Sequence, residues 1–432
     1  MRAHPSVELL RRAALVALCG GLAAIGCDDG DSAEPSADPM ADMQADAAVV
    51  DAMRPAPDMR VPDAALGVPF CEGGTTHLYA PFESSTLQLF PDDLLTMDAD
   101  DSPTGVRLAI DPEQFPWMAN VPRLLATIFA DLDGLSGFAT YGAIVMRFSD
   151  PIGEVPADAA ASVDSNALML LDLSTTPPTH VPYVVRRSEG DRAIIVQPLR
   201  PMRVGTRHAL VATTELHDAA GDCIAPGPTM RGLLAEGVED PRLARMAPRY
   251  AEVLDAADLL PEQISAMAVF TTHRETDVMA AVAADIRERA YDWDGDRECE
   301  DAENWRQCEG QFEAWDYRDG KAILTPAPKA PWTLPVSTWL PREGQGPWPT
   351  IFVGHGLGAG RYQAARLAEL YCPAGFAVVA MDAMRHGDHP TSAHGDGQDT
   401  ALSFLGLNLA GLQIDGQTLV GNFNQTVVDR LQ

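Results

Sequence analysis

PTIFVGHGLGAGR, residues 349–361, is the stretch on which the fold turns. Residues 350–353 form an apolar run of strand length, expected to be buried, and RYQAARLAEL (361–370) spaces its apolar residues three and four apart, as an amphipathic helix does. Between them lies a glycine-dense turn with one histidine. Strand, glycine turn and helix in that order are half of a βαβ unit. Glycines let the backbone approach a ligand or take positive φ, so amides at the start of the helix can point at an anion. In acyl transfer that anion is the oxyanion of the tetrahedral intermediate.

After the helix, Pro373 and Gly375 punctuate, and AVVAM (377–381) is a second uniformly apolar strand, as parallel strands buried on both faces are. It runs into the turn DAMRHGDHP (382–390). This succession of HG turn, helix, strand and DxxxHG turn resembles the α/β-hydrolase fold, in which an HG turn after the third strand supplies one oxyanion-hole amide. The resemblance implies that role for His355, Gly356 and Leu357, with the amides of Gly356 and Leu357 as donors and His355 orienting the loop. A phosphate- or cofactor-binding turn of another doubly wound fold, or plain tight packing, would use the same glycines.

Upstream, between about residues 69 and 235, the texture is that of short strands. GVRLAI (105–110), GAIVMRFS (142–149), ALMLLDL (167–173), HVPYVVRR (180–187), RAIIVQPL (192–199) and RHALVATTEL (207–216) are separated by Pro, Gly, Asp and Ser clusters, which argues for a β-sandwich. The order IVMRFSDPI, NALMLLDL, RAIIVQPLRPMRVGTRHALVATTELHDAAGDCI resembles bacterial immunoglobulin-like (Ig-like) modules. With LFPDDLLT (89–96) and LDGLSGFATYGAI (132–144) added, residues 80–432 resemble bacterial lipoprotein lipases of the virulence-factor type. In that family such a domain precedes an α/β-hydrolase domain. GLSGF (134–138) lacks the GxSxG spacing, so Ser136 reads as a turn residue. ANVPRLLATIFAD (119–131) reads as a helix.

Acidic residues outnumber basic ones 62 to 31, a formal charge of −31, so binding to a nucleic-acid backbone is disfavoured. Arg2, Arg11 and Arg12 precede a short apolar core (13–25) ending in AIGC, and no later apolar run is long enough to span a bilayer. The start resembles a bacterial lipoprotein signal (1–27), which implies lipid attachment at Cys27, export to the cell envelope and a membrane tether. Ordinary signal-peptidase cleavage and an uncleaved anchor are the alternatives. Residues 28–68 hold acids, Ala, Pro and Met without an aromatic side chain, the composition of a disordered linker.

In an oxidising compartment Cys299 and Cys308 are the short-range disulfide candidates; Cys71 with Cys223 would span the β-rich region, a pairing that spacing alone does not establish. Cys372 reads as a buried small hydrophobe. Residues 236–320 read as a helical bridge and acidic loop, with helices over 240–257 and 276–290 and a third start at 261–267. Within it Asp292, Asp294 and Asp296 alternate and Glu303 stands twelfth in the count, as in an EF-hand calcium loop, although Arg297 occupies the glycine place. The other reading is an acidic, disulfide-closed surface loop. No other cofactor is expected.

Residues 321–432 then read as a partial α/β-hydrolase domain, a parallel sheet with flanking helices. No GxSxG occurs in the 432 residues, and Ser392 and Ser403 are the only serines after the HG turn. His355, His386, His389 and His394 therefore lack a nucleophile to serve. The reading is a lipase- or carboxylesterase-like serine hydrolase of the bacterial envelope acting on acyl esters or lipids, with the nucleophile and triad outside this chain, which is inactive alone. The rival is a non-enzymatic surface lipoprotein whose Ig-like module binds a partner.

Overall fold

The computed structural model describes residues 71–432, apart from 72–73, 84–88, 112, 114, 117–130, 133, 236–237, 239, 393–396 and 412. The expected signal sequence, Cys27, the linker, most of the 119–131 helix and His394 lie outside the described residues.

The protein is a mixed α/β, multi-sheet molecule. In chain order the strands are β1 (Leu89–Phe90), β2 (Thr96–Asp98), β3 (Val106–Leu108), β4 (Ile144–Arg147), β5 (Leu168–Asp172), β6 (Thr179–His180), β7 (Tyr183–Ser188), β8 (Ala193–Pro198), β9 (Arg207–Thr213) and β10 (Ile264–Thr271). They continue with β11 (Glu298–Asp301), β12 (Trp305–Asp316), β13 (Ala330–Pro341), β14 (Thr350–Val353), β15 (Ala377–Met381), β16 (Leu407–Asn408) and β17 (Gln413–Ile414).

Two four-stranded antiparallel sheets, β1-β4-β8-β7 and β10-β9-β5-β6, occupy the first part. Their inward residues, among them Ile144, Met146, Ile194 and Val196 from one sheet and Leu168, Leu170, Leu210 and Ala212 from the other, share one core. That is the arrangement two alternating, half-apolar sheets reach when each hides its face against the other. Cys71 is disulfide-bonded to Cys223 across this unit.

β10 corrects the expectation of a helical start at 261–267. Only Pro261–Gln263 turns helically, and the next eight residues, ISAMAVFT, are buried throughout and pair with β9. A wholly apolar run carries no period, so helix and strand could not be told apart. Residues 236–320 therefore do not form a separate bridge. Their first strand completes the upstream sheet, and β11 and β12 join the downstream one.

That downstream sheet has the order β11-β12-β13-β15-β14, antiparallel except for β14 beside β15. The acidic loop of the sequence reading is in fact its outer hairpin, with Cys299 and Cys308 directly opposite each other and disulfide-bonded. β14 differs from expectation: it is the edge, half exposed, with Phe352 47% accessible. Helix 276–288 and the C-terminal helix Gly416–Leu431 share Val282, Ile286 and Val428 with Tyr317.

One buried chain of hydroxyls ties the first unit together. The Tyr79 hydroxyl lies 2.7 Å from Asp92 Oδ2 and 3.2 Å from the Tyr250 hydroxyl, which donates to the Met267 carbonyl (2.9 Å). Burial pushes the Asp92 carboxyl up to about 7, against the Leu94 amide and the Tyr79 hydroxyl. When protonated, Asp92 can donate to Tyr79, Tyr79 to Tyr250 and Tyr250 to the carbonyl, so each hydroxyl gives one proton in sequence. A carboxyl raised on folding contributes stability that is complete below the ordinary carboxylate range and lost as pH rises through about 7. Relative to Asp92→Asn, the wild-type protein should therefore lose on the order of 4 kcal/mol between pH 4 and pH 8, measured by urea unfolding at each pH.

Candidate functional site

The two turns that leave the parallel pair β14 and β15 are locked to each other. Asp382, the first residue after β15, is buried and accepts from the Arg361 amide (2.7 Å) and the Asp388 amide (3.0 Å). The Arg361 guanidinium, also buried, pairs with Asp382, reaches Asp388 Oδ2 at 2.8 Å and donates to Ser337 Oγ on β13 at 3.0 Å. Burial alone would push the Asp382 carboxyl up. The two amides and the guanidinium outweigh it and hold the group below the ordinary carboxylate range. Gly387 is required here, because a Cβ on it would lie 2.3 Å from the Asp382 carboxylate.

Histidines complete the lock. The Ala383 amide donates to His355 Nε2 (2.9 Å), so the proton of the neutral ring sits on Nδ1, which faces the Gly356 carbonyl at 2.9 Å. Burial lowers the His355 pKa, with His386 and Arg430 pushing the same way. The Gly358 amide donates to His386 Nε2 (3.0 Å), leaving Nδ1 to donate to the Met384 carbonyl (2.8 Å). His389 accepts from the Thr391 amide at Nδ1 (3.1 Å) and lies 3.1 Å from Asp429 Oδ2 through Nε2. All three rings have both nitrogens engaged. None offers a free nitrogen for proton transfer.

The three residues singled out in the HG turn therefore divide. His355 holds the turn to the end of β15. The Gly356 amide donates to the Gln363 side chain (2.9 Å) and is not open to a ligand. Leu357 is 54% accessible, and its amide makes no hydrogen bond among the described residues. Its turn is closed by the Ala359 amide donating back to the Gly356 carbonyl (3.1 Å). What this arrangement can do chemically is present a backbone N–H, on a rigid scaffold, to an incoming partial negative charge.

The remaining candidates are not brought to this turn. Asp292, Asp294, Asp296 and Glu303 do not converge, and among the described residues no group of His, Cys, Asp or Glu could hold a metal ion. Asp294 instead accepts from Gln311 (2.9 Å), and Glu303 stands at the tip of the β11–β12 hairpin, a geometry no helix-flanked calcium loop can adopt. Ser136 donates to Glu275 Oε2 (3.0 Å) and accepts from the Arg274 amide (2.9 Å). Glu275, whose carboxyl is held to about 2 by His273 and Ser136 against the cost of burial, also lies 3.0 Å from His273. Serine, carboxylate and histidine thus meet, but the serine hydroxyl donates its hydrogen bond to the carboxylate and is buried, so the cluster is a clasp. A polar cavity of about 450 Å³ lies at the start of the C-terminal helix, lined by Asp131, Lys321, Ser403, Asn408, Gln413 and Asp415. Its charges are taken: Lys321 pairs with Asp415, and Asp131 accepts the Gly416 amide (2.6 Å).

No protein-family model and no curated protein sequence matches the chain. Among solved structures, a Bacteroides fragilis protein described as an acetyl xylan esterase aligns at 14% identity over 36% of this chain and 42% of its own, with a TM-score of 0.22. An S-layer protein aligns at 11% identity over 47% of this chain and 22% of its own, with a TM-score of 0.18. The chain thus spans less than half of either neighbour. Alignments this loose carry no argument, and the reading rests on the residues.

Sequence reasoning missed Gln363, Asp382 and Arg361 as parts of the site. Asp382 could have been suspected from an acid placed at the end of an apolar strand. Two outcomes follow. Asp382→Ala, which strands the buried Arg361 charge, should cost about 3–5 kcal/mol in chemical denaturation. Gln363→Ala should leave the melting temperature nearly unchanged while the Gly356 amide, now unpartnered, loses its protection in hydrogen exchange.

Proposed function

We propose that the HG turn is an oxyanion-binding loop and that the chain comes from a lipase- or carboxylesterase-like lineage acting on apolar acyl esters, including lipids. The observation that carries this is the open Leu357 amide, set at the end of a parallel strand and immobilised from below by His355 and His386. In this reading strand β14, the turn, helix Ala365–Tyr371 and the parallel β15 would correspond to the third strand, oxyanion loop and next strand of an α/β-hydrolase. The two-sheet unit before it is, in this reading, the Ig-like domain of the virulence-factor lipase type. Export and a lipid tether at Cys27 would place the protein in the bacterial envelope, where such esters are found.

The chain contributes the oxyanion half of the reaction, since no GxSxG occurs in it. Purified residues 1–432 should hydrolyse p-nitrophenyl butyrate no faster than buffer does. Turnover abolished by a serine-directed phosphonate would overturn the absence of a nucleophile. A coding sequence that runs past Gln432 into a strand followed by GxSxG is the result expected of the hydrolase reading; unrelated sequence there favours the binding module instead. In a chain that carries the nucleophile segment, Leu357→Pro, which removes the amide proton, should lower kcat about 10²–10³-fold with little change in KM.

A further inference from the structure

The cavity at the start of the C-terminal helix takes no part in the reaction proposed for the HG turn, and separate stretches of chain meet to build it. Asp131 comes from the upstream part of the chain, Lys321 from the β12–β13 connection, Ser403 from helix Gly397–Phe404, and Asn408 and Gln413 from the β16–β17 hairpin. Small-ligand sites concentrate at such junctions, and a volume of about 450 Å³ lies within their usual span of roughly 300–1,000 Å³. Two glycines let the walls come together. A Cβ on Gly416 would lie 3.1 Å from Asp131 Oδ2, which accepts the Gly416 amide, and a Cβ on Gly406 would lie 2.6 Å from the Asp415 carbonyl oxygen.

The polar groups in the wall are of two kinds. The charged ones are largely spent on the protein: Asp415 accepts the Thr418 amide (2.9 Å) and pairs with Lys321, and one oxygen of Asp131 serves Gly416. The neutral ones are open. Asn408 and Gln413 are directly opposed across the hairpin, so their side chains leave it on the same face. A Cβ on Gly411 would lie 3.2 Å from Gln413 Oε1 and 3.4 Å from Asn408 Nδ2, which sets the two amides side by side. Asn408 Oδ1 accepts the Gly411 amide (3.0 Å), leaving Nδ2 as a donor, and the Gln413 side chain makes no hydrogen bond among the described residues. What singles these amides out is their convergence in the wall of one cavity, not the want of a partner.

That wall sorts ligands by charge and polarity. It holds one lysine against two aspartates, a formal charge of −1, so an anion is repelled. An added cation would compete with the Lys321 ammonium, and among the described residues no group of His, Cys, Asp or Glu could hold a metal ion. An apolar body would strip water from the amides and return no hydrogen bond. Adjacent hydroxyls meet the wall as it stands: they accept from Asn408 Nδ2 and Gln413 Nε2 and donate to Gln413 Oε1 and to the second oxygen of Asp131. Leu402, Leu407 and Ile414 complete the lining and suit the C–H groups between such hydroxyls.

We propose that this cavity is a saccharide-binding site, holding a neutral sugar ring by its adjacent hydroxyls through Asn408, Gln413 and Asp131. Binding here needs neither turnover nor the HG turn, so its failure would leave the oxyanion-loop reading untouched.

The test is a titration of the full chain, 15N-labelled at asparagine and glutamine, with the methyl glycosides of glucose, galactose, mannose and xylose, with maltotriose, and with acetamide as a neutral amide. The expected result is a saturable shift of the Asn408 and Gln413 side-chain NH2 signals by at least one saccharide. Its dissociation constant should stay within twofold between about 50 and 500 mM NaCl, because a neutral ligand has no charge to screen. Both amides are exposed, so substitutions there leave the core intact. Gln413→Ala should weaken binding about tenfold, as should Asn408→Asp, which keeps the oxygen that takes the Gly411 amide and removes the donor. Tighter binding of maltotriose than of methyl glucoside assigns a glycan chain, and equal binding a single ring. Saturation by acetamide alone, no saturation by any saccharide, or an affinity unchanged in both variants would overturn the proposal.

Discussion

The buried pair of Arg361 and Asp382 is the constraint on which the second half of the molecule depends. Removing two charges from water is expensive, and the pair is tolerable because every remaining donor and acceptor on it is used. Ser337 on β13, the amides of Arg361 and Asp388 and the Asp388 carboxylate all converge on it. Three strands and two turns are thereby brought into one register. A pair left half-satisfied would cost more than an apolar contact at the same place, so the network specifies a single arrangement.

That rigidity decides what the histidines are for. His355, His386 and His389 look like general bases in the sequence, and each instead spends one nitrogen accepting a backbone amide and the other facing a carbonyl or carboxylate. An imidazole is suited to this because it alone offers a donor and an acceptor on one small planar ring. The result is a turn that cannot move protons but can hold an N–H still. Electrostatic stabilisation asks for that immobility, since a preorganised donor has no reorganisation left to do when charge forms.

The C-terminal helix shows the same economy from the other side. Its buried positions are largely polar: Thr426 takes the Met384 amide, Gln425 the Tyr317 amide, Asn422 the Phe404 carbonyl and Asp429 the His389 ring. Its outward positions Val420, Phe423, Val427 and Leu431 are apolar. The inversion has a physical cause, because the helix packs on turns whose backbone groups need partners and not on the open face of a sheet.

Local pattern was enough for the elements that alternate or repeat. The six upstream strands, the 276–288 helix, the strand–glycine–helix unit at 350–371 and the apolar 377–381 strand lie where hydrophobic period and glycine or proline punctuation put them. Absence of a GxSxG was likewise a property of the string of residues. Period could not speak for β10, which is apolar throughout, nor for β12, whose charged residues read as a loop until they alternated across a long hairpin. Nor could it say that β14 is an edge, that Gln363 occupies the Gly356 amide, or that Arg361 finds Asp382, because partners 7 or 21 residues apart meet only once the sheet has ordered its strands. Residue type and spacing determined which groups were available; the tertiary fold alone decided which were already spent, because a hydrogen bond satisfied within the protein is one that no ligand can use.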